Sequence, residues 1–423
     1  MNEDFLHFVW KYKMFSKVDF KTTDGEQVSI LKTGVHNKHA GPDFLYSELK
    51  IENQIWIGNV EIHVKASDWY LHNHEIDVNY DAVILHVVWE NDAVIFMKNN
   101  KPIPTLALKD LVNKSVLENY RNLFFTPTSW IPCQEAIGTV DDFTFANWKE
   151  RLFFERLERK SEDIAGLLVK ENNNYEAVLF QLLARNFGLK VNGDSFLRLA
   201  QSIDFSIIQK VSFDAHQLEA LLFGQAGFLE VGMEDAHQLQ LKTTHAYLIH
   251  KYNLQSIENI QFSFFRMRPN NFPTIRIAQL ASLFHKHQRL FSILMTIKTL
   301  KEFYELFSIE IAPFWKTHYN FESISKSSAK KLTTSFIDLL IINTVLPLKF
   351  LYQKARGEVD EMLFLEILKK MKPEKNSIIS KFSKLGVVAE NACESQALLE
   401  LKNNYCTNKR CLQCAIGNNL LRK

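Results

Sequence analysis

Asp43 in "GPDFLYSELK" (41–50) and Glu61 in "EIHVK" (61–65) are carboxylates on two apolar, strand-like segments. Side chains alternate along a strand, so Glu61, His63 and Lys65 share one face and Val60, Ile62 and Val64 take the other. Asp43 opens the preceding segment. Two carboxylates on neighbouring strands suit a hard divalent ion, Mg²⁺ or Mn²⁺, with the Ile62 carbonyl as a further oxygen ligand. Such an ion acidifies a bound water and stabilises charge on a phosphoryl group, with His63 or Lys65 orienting the water.

A second group lies close behind. His72-x-His74, with Asp68 and Asp77, has the donor types of a Zn²⁺ or Mn²⁺ hydrolase site, although loop histidines that cap backbone groups give the same pattern. Six of the 14 histidines fall between His36 and His86, a density that a solvated surface does not require. His86, inside an apolar run, reads as a satisfied core histidine, and Trp69 and Tyr80 read as packing.

The chain end carries a third group. Cys393, Cys406, Cys411 and Cys414 can complete a tetrahedral Zn²⁺ site, and the same four can hold a [4Fe–4S] cluster. Cys133, in "WIPCQ", reads as a small buried apolar residue. Residues 401–423 contain Lys402, Lys409, Arg410, Arg422 and Lys423 and no acid. That is either a phosphate-backbone contact or a solvated charged face. In "FFRMRPNNFPTIRIAQL" (264–280), Arg266, Arg268 and Arg276 are candidate phosphate contacts. The same stretch also reads as a capping motif, with Asn271 as the cap and Pro273 in the first helical turn.

These groups need elements to position them. Residues 3–15 have helical apolar spacing, and 27–32, 43–51, 55–65 and 82–90 read as strands. Residues 82–90 are apolar at nearly every position, hence buried on both faces. The polar stretch 72–81 is expected to hold a short helix, and 93–98 to hairpin onto 82–90 across "ND". From about 140 the pattern becomes amphipathic helix. The fold class is therefore an α/β (α+β) N-terminal domain with a mixed sheet over 1–130, an α-helical domain over 140–385, and a Cys-rich metal-binding tail over 386–423.

The order helix, three strands, short helix, strand, together with Pro42-Asp43 and Glu61-x-His63, resembles the core of the PD-(D/E)XK nuclease superfamily. That resemblance implies phosphodiester hydrolysis at Asp43 and Glu61. The superfamily pattern has Lys where this chain has His63, with Lys65 two residues further on. More widely, "GPDF", "VEIHVKASDWYLHNH", "YDAVILHVV", "EALLFGQAGFL" and "RMRPNNFPTIRIAQLA" resemble the bacterial DUF2851 family along nearly the whole chain.

Composition sets outer bounds. The 423 residues are 46% hydrophobic and 23% charged, with formal net charge +2, so any nucleic-acid surface must be local. The first ten residues lack a basic region followed by a long apolar run, and the most apolar stretch, 336–352, is broken by Asp338, Pro347 and Lys349. The expectation is a cytoplasmic protein without a membrane span, with nucleic acid as partner. Three functions fit: a metal-dependent nuclease-like enzyme, a non-catalytic nuclease fold that binds nucleic acid or protein, and a Zn-dependent hydrolase at 68–77.

Overall fold

The computed structural model describes residues 1–16, 20–125, 129–230, 235–255, 257 and 260–423. It divides into two compact units. The first comprises 1–149, 376–388 and 398–423, and the second 150–375 and 389–397. The segment 386–423, expected as a tail of its own, is thus shared between the two.

The first unit is built on a mixed sheet. Its strands are β1 (Phe20–Lys21), β2 (Gln27–Lys32), β3 (Val35–His36), β4 (Phe44–Ile51), β5 (Gln54–Lys65), β6 (Val83–Glu90) and β7 (Thr105–Ala107). The order is β1-β2-β4-β5-β6-β7, with β3 paired to β4. Pairing is antiparallel as far as β5 and parallel from β5 to β6 and β6 to β7. This is the mixed sheet that the sequence pattern predicts. The two-residue strands β1 and β3 are too short to leave a period of their own.

Helix α1 (Glu3–Lys11) starts at Asn2, whose side chain accepts from the Phe5 N–H, and buries Phe5, Leu6, Phe8, Val9 and Trp10. It stops short of residue 15. Lys13 turns left-handed at φ +51, and the Lys13 and Met14 N–H groups close on Trp10 and Val9 oxygens, a Schellman ending without glycine. The helix packs on β5, and Trp10 Nε1 donates to Thr33 O at 3.0 Å.

The crossover from β5 to β6 carries α2 (Asp68–Leu71) and a 3₁₀ turn at Val78–Tyr80. Beneath it, Ala66, Trp69, Tyr80, Val83, Val88, Ile95 and Ile103 form one apolar cluster. Residues 93–98 make no strand, contrary to the hairpin expectation. The Asp92 carboxylate accepts from the Ser67 N–H at 2.9 Å and Oγ at 2.8 Å, which ties the chain leaving β6 to the α2 side. β7 fills the place beside β6 instead.

Two backbone features set the strand geometry near the site. In β4 the register slips between Phe44 and Ser47, and Tyr46 sits at φ +58 in that bulge. Bulges re-aim the residues beside them, here Asp43 at the head of the strand. In β5, a Cβ on Gly58 would fall 2.4 Å from Ile84 Cγ2 and 2.7 Å from Ala82 O. Gly58→Ala is expected to destabilise the first unit by about 1–3 kcal/mol, as overpacking does, and urea unfolding of variant and wild type measures it.

After α3 (Lys114–Phe125) comes α4 (Asp142–Lys170), whose residues from 150 belong to the second unit. Among its described residues the elements of that unit are helices, with an isolated bridge between His318 and Ile324. The segment Thr334–Arg356 is long and apolar enough to cross a membrane by length and composition. It is also 61% buried within the protein, and Lys349 in its midst is 1% exposed.

Candidate metal centre

Asp43 and Glu61 come together across β4 and β5 through reciprocal bonds. The Asp43 N–H donates to Glu61 Oε2 at 3.1 Å, and the Ile62 N–H donates to Asp43 Oδ2 at 2.9 Å. The Asp43 side chain thus takes the place of a strand carbonyl and extends the ladder. The loop before it is folded on Asn37, whose Nδ2 donates to Ala40 O and Pro42 O, while its N–H donates to Asp43 O. His36 stacks on Phe44 with ring centroids 4.9 Å apart.

His63 follows on the same face of β5, buried at 1% exposure. Its Nδ1 lies 2.8 Å from Nε2 of His86, which β6 places beside it. Its Nε2 lies 3.1 Å from His72 Nδ1 and 3.5 Å from Glu61 Oε1. His74 Nε2 lies 3.3 Å from the same Glu61 oxygen. Among the described residues, His63, His72 and His74 are the group of three donors whose atoms all lie within 4.8 Å of one another. A tetrahedral ion with metal–nitrogen bonds of about 2.0–2.1 Å sets its ligands about 3.3 Å apart. The His63–His72 separation of 3.1 Å matches that edge and the three imidazoles lie within 4.8 Å, so they fit an ion of the zinc class, with the Glu61 carboxylate beside His63 and His74.

The crossover explains how the imidazoles are held. Asn73, at φ +59, turns the backbone between His72 and His74. His74 stacks on Tyr80 with centroids 3.7 Å apart, and buried Trp69 stands edge-on to His74 and tilted against His86. Access is graded: His63 is enclosed, His74 is 9% exposed, and His72 faces solvent.

Electrostatics favour a cation at this point. Burial, then the charge of Asp43, pushes Glu61 up to about 9. Burial, then the neighbouring His74 and His72, pushes His63 down to about 3, leaving a neutral ring suited to ligation. Burial also lowers His74, and it lowers His86 strongly. A buried acid held neutral beside the lowered His63 and His74 rings is what a ligand set looks like without its ion.

Two residues that the sequence reading passed over complete the surround. Glu3 and His7 lie one turn apart on α1. His7 Nε2 sits 3.2 Å from Asp43 Oδ2, an ion-pair contact rather than an aligned hydrogen bond. Burial lowers His7, but Asp43 outweighs it and the net shift is upward. Burial, then Asp43, raises Glu3. The available signal was the i, i+4 placement of an acid and an imidazole on a helix whose middle is apolar.

Other expected site residues stand elsewhere. Lys65 is exposed at the end of β5, and its N–H donates to Asp68 Oδ2 at 2.9 Å. Asp77 Oδ1 accepts from the Asn79 N–H at 2.9 Å. Both aspartates therefore shape the crossover turns around His72 and His74. Arg266 and Arg268 are exposed, but Arg276 is buried. Its guanidinium bonds Gln279 Oε1 and Asn271 Oδ1 and lies 3.5 Å over the Phe336 ring. Asn271 thus braces Arg276 instead of capping, and Pro273 takes the first helical position.

Several basic residues of the first unit lie over aromatic rings. Lys381 and Lys402 lie 5.4 and 5.6 Å over Trp130, Arg410 4.7 Å over Tyr405, and Arg422 4.2 Å over Tyr12. Cys406, Cys411 and Cys414 belong to this unit, whereas Cys393 belongs to the other. A family model described as "Protein of unknown function (DUF2851)" matches residues 3–377. No curated protein and no solved structure matches the chain.

Proposed function

The chain belongs to the DUF2851 family, and we propose that it is a metal-dependent hydrolase of the nuclease-like kind, acting on phosphodiester bonds of DNA or RNA. The observation that carries this reading is the convergence of His63, His72 and His74 within ion-ligand reach of one another, with Glu61 Oε1 3.5 and 3.3 Å from His63 and His74. The donor set refines the metal: three imidazoles and one carboxylate favour Zn²⁺ or Mn²⁺ over Mg²⁺. When bound, such an ion supplies Lewis acidity and an acidified water. The chain's own residues do the rest. His86 holds His63 in one tautomer by accepting from or donating to its Nδ1. Asp43 holds His7 beside the site as a proton carrier. The exposed edge of His72 leaves a side open to substrate. The phosphodiester class is supported by the nuclease-like order of elements and by the ring-mounted cations of the same unit.

A second reading, a non-catalytic nucleic-acid-binding module, draws on the use of Asp43 Oδ2 by the Ile62 N–H and His7. Incubating plasmid, single-stranded DNA and RNA with the protein and Zn²⁺, Mn²⁺ or Mg²⁺ decides between them. Cleavage by wild type and not by His72→Ala supports the enzyme. Binding without cleavage under every metal leaves the module. His86→Phe tests the support of His63: Zn²⁺ affinity, read by calorimetric titration, is expected to fall roughly 10–100-fold, as for other partners of metal-bound histidines.

A further inference from the structure

The second unit holds a cavity whose polar lining is of one chemical kind. It is lined by the turn that joins α4 to α5 (Tyr175–Phe187) and by the turn that joins α6 (Leu189–Gln201) to α7 (Phe205–Val211). Its volume is about 570 Å³, within the range of small-molecule sites. Each turn contributes one carboxylate, Glu171 from the first and Asp204 from the second. The other polar lining side chains are amides and one serine hydroxyl, and no described lining residue is basic.

Local backbone rules build both turns. α4 ends in two left-handed residues, Asn172 at φ +51 and Asn173 at φ +62, a conformation that asparagine tolerates. The Asn173 N–H closes on Leu168 O at 2.8 Å. Asn174 then caps α5, its Oδ1 accepting from the Ala177 N–H at 3.1 Å. This folds Glu171 back on α5, where Gln181 Nε2 donates to Glu171 Oε1 at 2.7 Å. In the other turn Asp204 caps α7, its Oδ1 accepting from the Ser206 N–H at 2.8 Å. The Ser206 hydroxyl and N–H hold Asp204 below the usual carboxylate range.

Gln181 supplies the observation that points to a ligand. It lines the cavity at 5% exposure, and its Oε1 has no hydrogen-bond partner. The bond to Glu171 fixes the amide with its nitrogen toward the carboxylate, because the reverse would set two acceptors face to face. What the amide has left to offer is a carbonyl oxygen without a donor, an arrangement that native proteins avoid. Phe180 and Phe205, with ring centroids 5.9 Å apart, give the same lining an aromatic stretch. Anionic acceptors from two separate turns, a carbonyl that wants a donor and aromatic faces together suit a molecule with cationic heads joined by methylenes.

We propose that this cavity binds an aliphatic diamine or polyamine, with Glu171 and Asp204 taking its ammonium groups, the Gln181 carbonyl accepting a further N–H, and Phe180 and Phe205 packing along its methylenes. Binding is a plain association, with no covalent step.

The test is calorimetric titration of the full chain, at physiological ionic strength, with four probes: putrescine, spermidine, butane-1,4-diol and succinate. The diol keeps the spacer without the charge, and succinate reverses the charge. Saturable binding of putrescine or spermidine at one site per chain is expected, with none of the diol or succinate. Glu171→Gln and Asp204→Asn each remove one charge and keep the shape, and asparagine also keeps the cap on α7. Each is expected to weaken the amine by about tenfold, the loss of one charge-assisted bond. Asp204→Asn serves alone should Glu171→Gln not fold. Absence of amine binding, binding of the diol or succinate as tight as that of the amines, or amine binding unchanged in the folded variants would overturn the proposal. None of these outcomes bears on the histidine centre, whose metal is read with His72→Ala.

Discussion

Glu61→Gln is expected to keep the fold, abolish metal-induced stabilisation and remove cleavage. In the metal-free protein, burial beside Asp43 pushes Glu61 up to about 9, so near neutrality it stands as the neutral acid. Glutamine is its near isostere and still accepts the Asp43 N–H through its carbonyl oxygen. The unfolding midpoint of the metal-free variant should therefore match wild type closely. With Zn²⁺ or Mn²⁺ the two part company. A ligand at a hundred times its dissociation constant stabilises the folded state by about 2.7 kcal/mol. Wild type gains that amount, and the variant, lacking the anionic oxygen that faces His63 and His74, gains little. Loss of a direct ligand should exceed the roughly 10–100-fold that a supporting partner costs, so cleavage should fall by about 10³-fold. A variant that retains both metal-dependent stabilisation and cleavage would remove Glu61 from the centre.

The contrast between what the chain's pattern reveals and what it hides follows from range. β4, β5 and β6 are legible because each is long enough for alternation or continuous apolarity to stand out, and Asp43 and Glu61 were found with them. His63 drew attention as an imidazole where a lysine was expected, but its partners were not readable. Its contact with His86 depends on parallel pairing of β5 and β6, and its contact with His72 on the crossover between them. Local spacing favoured Asp68 and Asp77 as companions of His72 and His74, whereas those carboxylates cap the turns that aim the two rings. Lys65 has the right parity and the wrong depth, because β5 has left the core by then.

Lys349→Met is expected to shift stability in a pH-dependent way that a packing change alone does not produce. Lys349 is 1% exposed, and its Nζ donates to the carbonyls of Leu294, Met295 and Ile297 at 3.3, 2.9 and 2.6 Å. These oxygens end the helix Leu290–Thr296, so the lysine closes a helix terminus. Methionine fills the space and leaves those acceptors bare, at roughly 1–3 kcal/mol for the unmet group. Against this stands the cost of the buried charge. Burial, then Lys298, lowers Lys349 to about 8, with Asp360 and Glu302 pulling the other way. The folded value lies below the unfolded one of about 10.4. Between these values the unfolded chain holds the proton and the folded chain has released it, so wild-type stability rises with pH across that window. Trimmed for screening, the rise is about 2 kcal/mol. Lys349→Met lacks it, so the deficit of the variant in urea unfolding should be small at pH 7 and larger by about 2 kcal/mol at pH 10. An equal deficit at both values would mean that Lys349 stays charged in the folded protein, with its three carbonyls outweighing burial.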